Sequence, residues 1–356
     1  MSIPYVVGQW VRGDRFYGRP ALLREALEGS RDRHWIVGMR RVGKTSLLRQ
    51  IEQLAFETPG GSVVPVVWDL QGSDEPDELD LGFHDALLDA ESRLAEAGVA
   101  PPPPGPAAET IADLAGALRE RGRKLLLLCD ETEDLFGLLS REPDLAVPLE
   151  RALTASGARV VLASSVRLAA TAGSGPGAGL LAAFGTPAWL GPFDAGESRA
   201  LLLQENLPPE RRPELPEAAV RLLASRCGGH PFLLQLAAKR AVETGDAAQA
   251  CERLARDPTV THLCDVDLGL LESADRELLA GLSAGIETSP PPSPVHLARL
   301  RGLGLVRDGA DGRPVPGNWF LGRHLAAQAP APGERTSPPP GAPKSGQRKA
   351  PTRTDS

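Results

Sequence analysis

The chain of 356 residues has a formal net charge of −7, with 42% apolar and 4% aromatic residues. That length accommodates two domains plus tails and a core built mostly of Leu, Val and Ala, and the negative charge gives no whole-chain case for nucleic acid. Cys129, Cys227, Cys251 and Cys264 show no metal-ligand spacing and read as reduced thiols; no signal-like segment opens the chain and no apolar run approaches a membrane span, so the cytoplasm is the expected location and a membrane is not an expected partner.

In chain order, an irregular lead-in (1–12) is followed by Phe16-Tyr17-Gly18-Arg19 and an amphipathic stretch, Leu22 to Leu27. Trp35-Ile36-Val37 reads as a first strand and Ser62 to Leu70 as a second, placed at one side of a sheet because Pro65 favours an edge. An acid-rich helix is expected over 79–97, a stiff Pro-rich linker over 101–106 and another helix over 107–121. Lys124 to Asp130 holds four consecutive Leu, the pattern of a parallel strand covered on both faces. Arg159 to Ser164 is the next strand, 171–179 a Gly-rich mobile loop, and Ala188-Trp189-Leu190 a short last strand. Strands alternating with helices predict a parallel sheet with helices on both faces. Strand signals stop near Asp194, and helices are expected at 194–205, 216–227 and 231–244. A helix over 297–305 and a hairpin around Asp308-Gly309-Ala310-Asp311-Gly312 suggest a winged helix. The Pro-, Ser-, Thr- and base-rich tail from about 329 is too polar to fold and reads as disordered.

Two motifs carry chemistry. Gly38-Met39-Arg40-Arg41-Val42-Gly43-Lys44-Thr45 fits G-x-x-x-x-G-K-[ST], the phosphate-binding loop of P-loop NTPases, between a strand and a helix that opens at Ser46. Its glycines free the main-chain N–H groups of the loop, Arg41 to Ser46 included, to face phosphates, and the following helix adds its positive end. Lys44 is expected to reach the β- and γ-phosphates and Thr45 to bind Mg2+. Asp130, at the end of the Leu strand, is the second expected Mg2+ ligand, and Glu131 the group that readies the attacking water.

With these residues in view, the chain resembles the STAND class of AAA+-like P-loop ATPases, in the branch of archaeal-type ATPases or novel STAND NTPases. The resemblance spans about residues 4–325. It is carried by Pro4-Tyr5-Val6-Val7-Gly8, Phe16-Tyr17-Gly18-Arg19, the Gly38 loop, Asp130-Glu131, Leu190-Gly191-Pro192-Phe193 and Gly228-Gly229-His230-Pro231. It implies an ATPase core (1–193), a helical lid (194–260), a winged-helix-like domain (261–328) and the tail (329–356). It further implies that Gly18 and Arg19 lie beside adenine, that Ser164 or Ser165 reads the γ-phosphate, that Arg167 is an arginine following this sensor, and that His230 and Pro231 touch nucleotide from the lid. Pro20 stands where the family has an acid, no Met-His-Asp motif is visible, and the long C-terminal repeat array is missing.

Some residues keep two readings. Arg40 and Arg41 are arginine fingers, or one packs on the loop while the other is solvated. Asp69 assists magnesium or caps its loop, the run Asp74 to Asp80 binds a metal or is a solvated loop, and His230 contacts nucleotide or is a satisfied structural histidine. The expected function is an ATP-binding, slowly ATP-hydrolysing switch, with ATP or ADP and Mg2+ as cofactors and a protein partner or self-association as output. The alternative is a DNA-binding ATPase of the initiator or loader type, with Arg299, Arg301, Arg307 and Arg313 as its basic cluster.

Overall fold

The computed structural model describes residues 3–58, 61–171, 173, 175, 177–286 and 291–328. The expected disordered tail lies outside the described residues, as does part of the Gly-rich loop at 171–179. Five segments form one parallel sheet: β1 (Arg33–Val37), β2 (Val63–Asp69), β3 (Lys124–Asp130), β4 (Arg159–Ser164) and β5 (Ala188–Trp189), in the spatial order β2-β3-β4-β1-β5. β3 and β4 run through the middle and are buried along almost their whole length, so their Leu and Val runs need not alternate. β2 lies at the edge, where Pro65, lacking an N–H, removes no ladder bond on the open side. Because all five strands are parallel, the loops after β1, β3 and β4 leave from the same end of the sheet, where open α/β sheets bind ligands.

Helices cover both faces of this sheet. The helix Lys44–Glu57 follows the phosphate loop and buries Leu47, Leu48 and Ile51. The single helix expected over 79–97 is two, Pro76–Asp89 and Glu91–Glu96. They meet at Ala90, whose N–H is shared between Ala86 and Leu87 and whose small side chain is fully buried. The first begins earlier than expected because Glu75 and Glu78 form a reciprocal capping box, which gives part of the acidic run a structural task. Ala107–Glu120 is helical as expected, while Glu133–Arg141, Ala146–Ala155 and Ala178–Phe184 are helices the sequence pattern did not suggest.

Beyond β5 the chain is helical: Ala195–Leu203, Glu217–Cys227, Pro231–Thr244, Ala247–Leu254 and Pro258–Gly269. Then come Ser273–Ser283, Pro294–Gly302, an antiparallel hairpin of β6 (Val306–Asp308) and β7 (Pro314–Pro316), and Trp319–Gln328. Two apolar cores organise this part. One gathers the helices between 201 and 263 and takes in Tyr5 and Tyr17 from the lead-in. The other is the sheet's own core, which continues without a break into Leu278, Leu300, Leu305 and Leu321. The helix Pro258–Gly269 belongs to both: Val260 and Leu263 face the first, Cys264 and Leu268 the second. The expected boundary at 260/261 falls inside this helix.

Glycines let these parts meet backbone to backbone. A Cβ on Gly317 would run into the Gly304 carbonyl, one on Gly228 into Gly317, and one on Gly191 into Gly302. Gly228 also has φ +58, which favours a residue without Cβ. A Gly317→Ala variant is therefore expected to lower the melting temperature by roughly 5–10 °C. An unchanged melting curve would mean that the contact relaxes freely.

Candidate functional site

The loop after β1 turns through two left-handed residues, Arg41 (φ 56) and Gly43 (φ 99), before the helix begins at Lys44. It forms the floor of a cavity of about 890 Å3, lined by Arg40 to Ser46. That volume suits a small-molecule ligand, for which cavities of roughly 300–1,000 Å3 are usual. The opposite wall comes from the lead-in (Val6, Gly8, Trp10, Val11), from Phe16, Tyr17 and Arg19, and from Phe193, Pro231, Phe232 and Gln235. The combination is an anion-binding floor beneath a partly apolar roof.

Lys44 is only 8% exposed, and its Nζ donates to the Gly38 and Met39 carbonyls, both at 3.3 Å. Asp130, 5% exposed, has its carboxyl raised above the usual carboxylate range by burial; the Thr45 hydroxyl beside it and the Lys44 charge pull the other way. A buried carboxylate next to a hydroxyl is a hard oxygen donor pair that gains from a divalent cation, and it fits Mg2+. Among the described residues no group of three or more His, Cys, Asp or Glu could hold a metal ion. Glu131 lines the cavity, takes the unusual φ of 48, and donates its N–H to Asp130 Oδ1 at 3.1 Å. Such a backbone is strained for a residue other than glycine and fixes the side chain's direction. Burial raises its carboxyl, opposed first by Lys44.

The other expected residues divide. The Arg19 N–H donates to Glu197 Oε1 at 2.7 Å, its guanidinium donates to the Gly191 carbonyl at 2.5 Å and stacks 4.6 Å from the Phe193 ring centre, and burial lowers its pKa. Gly18 (φ 74) sits where any Cβ would meet Glu197. Arg41 stacks 4.5 Å from the ring centre of Phe232, joining loop to roof. Ser164 is fully buried and accepts the Trp35 indole N–H at 2.9 Å. The Ser165 N–H donates to the Glu133 carboxylate, and its hydroxyl accepts from the Arg167 N–H at 3.3 Å. Neither Ser165 nor Arg167 lines the cavity; Arg167 reaches the Gly269 carbonyl at 3.5 Å. Asp69 accepts the Gln71 N–H at 3.0 Å, the loop-capping alternative.

His230 precedes Pro231 and lies against the Arg40 peptide, with neither ring nitrogen in full hydrogen-bond contact. Burial pushes its pKa down to about 4. The unfolded ring takes its proton near pH 6.5, so between these values the unfolded state holds more protons. Its contribution to stability is complete above about pH 6.5 and is lost as pH falls toward 4. Between about pH 7 and 4.5, His230→Gln is expected to lose less melting temperature than the unaltered protein. Asp267, shifted in the opposite sense, is common to both proteins. Equal losses would contradict this.

Sequence reasoning missed three contributors. The lead-in is irregular, as expected, yet Tyr5 is anchored through its hydroxyl to the Leu202 carbonyl at 2.6 Å and holds Val6 to Val11 against the cavity. Gln235 lines the cavity and accepts the Val6 N–H at 3.3 Å. Asp267, 7% exposed, has the Arg40 N–H turned toward its carboxylate. Its signal was available: an acid in helical register with the buried stripe Val260, Leu263 and Cys264.

No protein-family model matches the chain, and no curated protein matches it. Solved structures do. A Walker-type ATPase of Pyrococcus abyssi is 17% identical, with a TM-score of 0.60 over 89% of this chain and 98% of that one. The chain has the AAA+ P-loop NTPase fold. The ORC2 protein of Aeropyrum pernix, solved with ADPNP and ADP, is 15% identical with a TM-score of 0.44, over 86% and 92% of the two chains. The ORC1 protein of the same organism, solved in complex with DNA, is 17% identical with a TM-score of 0.43, over 86% and 90%. At these identities the likeness is one of fold.

Proposed function

We propose that the chain is an ATP-binding and ATP-hydrolysing P-loop ATPase. The observation that carries this is the convergence of Lys44, the loop Arg40 to Ser46 and Glu131 on a single cavity. In this reading the loop amides and Lys44 hold the phosphates, and Thr45 and Asp130 hold Mg2+. The ion, when bound, neutralises charge on the phosphate oxygens. Glu131 orients water and takes its proton. Purified protein is expected to release phosphate from ATP slowly and only with magnesium present. Release no faster than from ATP alone would overturn the reading.

The finer reading is a nucleotide-driven switch of the STAND kind, with residues 194–260 as lid and 261–328 as a winged-helix-like domain. Its support is that part of the cavity's roof comes from Pro231, Phe232 and Gln235, beyond Phe193, and that the helix Pro258–Gly269 joins both apolar cores. The second reading is a DNA-binding ATPase of the initiator or loader type. It is favoured by exposed Arg307 on the β6–β7 hairpin. Its basic cluster is otherwise paired: Arg299 with buried Asp275 at 2.5 Å, Arg301 with Asp308 at 2.6 Å and Arg313 with Asp311 at 3.8 Å. Salt-dependent DNA binding, with or without ATP, would establish it; none at low salt would remove it.

A further inference from the structure

The chain's excess negative charge is concentrated in one segment. Of its 46 acids and 39 bases, nine acids and a single base, Arg93, fall in residues 74–96, so the remainder is close to neutral. This segment forms the helices Pro76–Asp89 and Glu91–Glu96, which pack against the edge strand β2. Some of its acids have structural tasks: Glu75 and Glu78 form the capping box, Asp80 accepts the Ala107 N–H at 2.7 Å, and Asp74 pairs with Arg141. Asp77, Asp85, Asp89, Glu91 and Glu96 are exposed and form no ion pair among the described residues. Asp85 and Asp89 are one helical turn apart, where like charges destabilise a helix. Leu81, 60% exposed, and Leu88, 50% exposed, lie two turns apart on the same outward face. One exposed leucine is ordinary, but two on one face, bracketed by unpaired acids, make an unpartnered surface. None of these residues lines the cavity.

We propose that this face of the helix Pro76–Asp89 is the docking site of the chain's own segment 335–353. That segment holds Arg335, Lys344, Arg348, Lys349 and Arg353 and no acid. It also holds Pro338-Pro339-Pro340, whose apolar rings suit Leu81 and Leu88. A run of prolines is stiff before it binds and loses little freedom on binding. Arg353 lies 25 residues beyond Gln328, where the last helix ends. Such a length of chain spans up to roughly 85 Å, more than the roughly 50 Å width of a compact chain of this size. The tether at Gln328 keeps the segment at high effective concentration, so ion pairs that are weak singly act together. A second chain would bring the same charges without that advantage. The start of the helix is tied to the second nucleotide motif: Asp74 pairs with Arg141, and the Gly72 N–H donates to Asp134 Oδ2 at 2.8 Å, both on the helix Glu133–Arg141. The docked segment thus rests on an element that braces the helix after Glu131, and it covers that face against other basic partners.

The chain's five lysines make the test specific. Lys344 and Lys349 lie in the segment, Lys44 is buried and Lys124 is held by Asp32 at 2.9 Å, which leaves Lys239 as the control on the folded part. Full-length protein, as an equal mixture of unlabelled and heavy-isotope-labelled chains, is treated with a water-soluble carbodiimide. This reagent joins a lysine amine to a carboxylate with no spacer, and mass spectrometry locates the links. Links from Lys344 or Lys349 are expected to fall mainly on Asp77, Asp85, Asp89 and Glu91 and to stay within one isotope label. They are expected to drop at least about fivefold between about 20 mM and about 0.5 M salt. In a variant carrying Asp85→Asn and Asp89→Asn, links to Asp77 and Glu91, whose carboxylates remain, are expected to fall by a similar factor while those of Lys239 stay unchanged. Both substitutions are at exposed positions, where the fold tolerates them. Links absent at low salt, or spread over exposed acids elsewhere in proportion to their accessibility, overturn the proposal. Links that mix the two labels mean that a second chain supplies the segment, and they overturn it equally.

Discussion

Lys44→Ala is expected to weaken ATP binding by roughly 100-fold or more, because a charge-assisted contact to phosphate is among the strongest single interactions available. The ammonium is held in place before any ligand arrives, by the Gly38 and Met39 carbonyls at 3.3 Å. Little ordering is then left for the ligand to impose, and the loss on removing it falls almost wholly on binding. The fold should survive, since the loop is shaped by its own backbone and by Leu47, Leu48 and Ile51 beneath it. Calorimetry with ATP and a melting curve separate these effects. ATP affinity within a few-fold of the parent would mean that Lys44 does not face the phosphates.

Glu131→Gln is expected to divide the two activities differently. The amide keeps the size and much of the hydrogen bonding of the carboxylate but cannot accept a proton from water. Turnover should fall by roughly 10²–10⁴-fold, the usual contribution of a general base, while ATP affinity is retained or rises. The strained φ of 48 belongs to the main chain and survives this substitution. Burial and the neighbouring acids Asp130 and Glu133 raise the Glu131 carboxyl, and Lys44 opposes them. Activity is therefore expected to fall at acid pH as that carboxyl takes a proton, with the midpoint above the usual range for glutamate. Single-turnover phosphate release alongside ATP binding decides the matter: parent-like turnover in the glutamine variant would remove Glu131 from the chemistry.

The sheet was legible because its strands are buried on both faces and their apolar runs have no competing explanation. β3 and β4 match the expected bounds residue for residue, and Pro65 located the edge. The phosphate loop and the acid pair were legible for a related reason: their spacing serves a backbone geometry that few sequences need. The break at Ala90 was hidden, because nothing in this acid-rich stretch announces a change of direction dictated by packing. The lead-in was hidden too, since Val6 to Val11 have no regular structure and take their role from Tyr5 and Gln235, more than 190 residues distant from their partners. Asp267 carried the clearest overlooked signal. A carboxylate on an otherwise apolar helical stripe contradicts the stripe's purpose, and such contradictions are where a sequence departs from folding alone.

Every role assigned to Lys44, Thr45, Asp130 and Glu131 requires the cavity above Arg40 to Ser46 to take a magnesium nucleotide. Titrating Mg–ATP and Mg–ADP into the purified, folded protein in a calorimeter tests this with nothing in between. Saturable heat is expected for both, with about one nucleotide per chain and affinity in the micromolar range. A folded protein that gives no heat with either nucleotide, and whose melting temperature neither shifts, would contradict it.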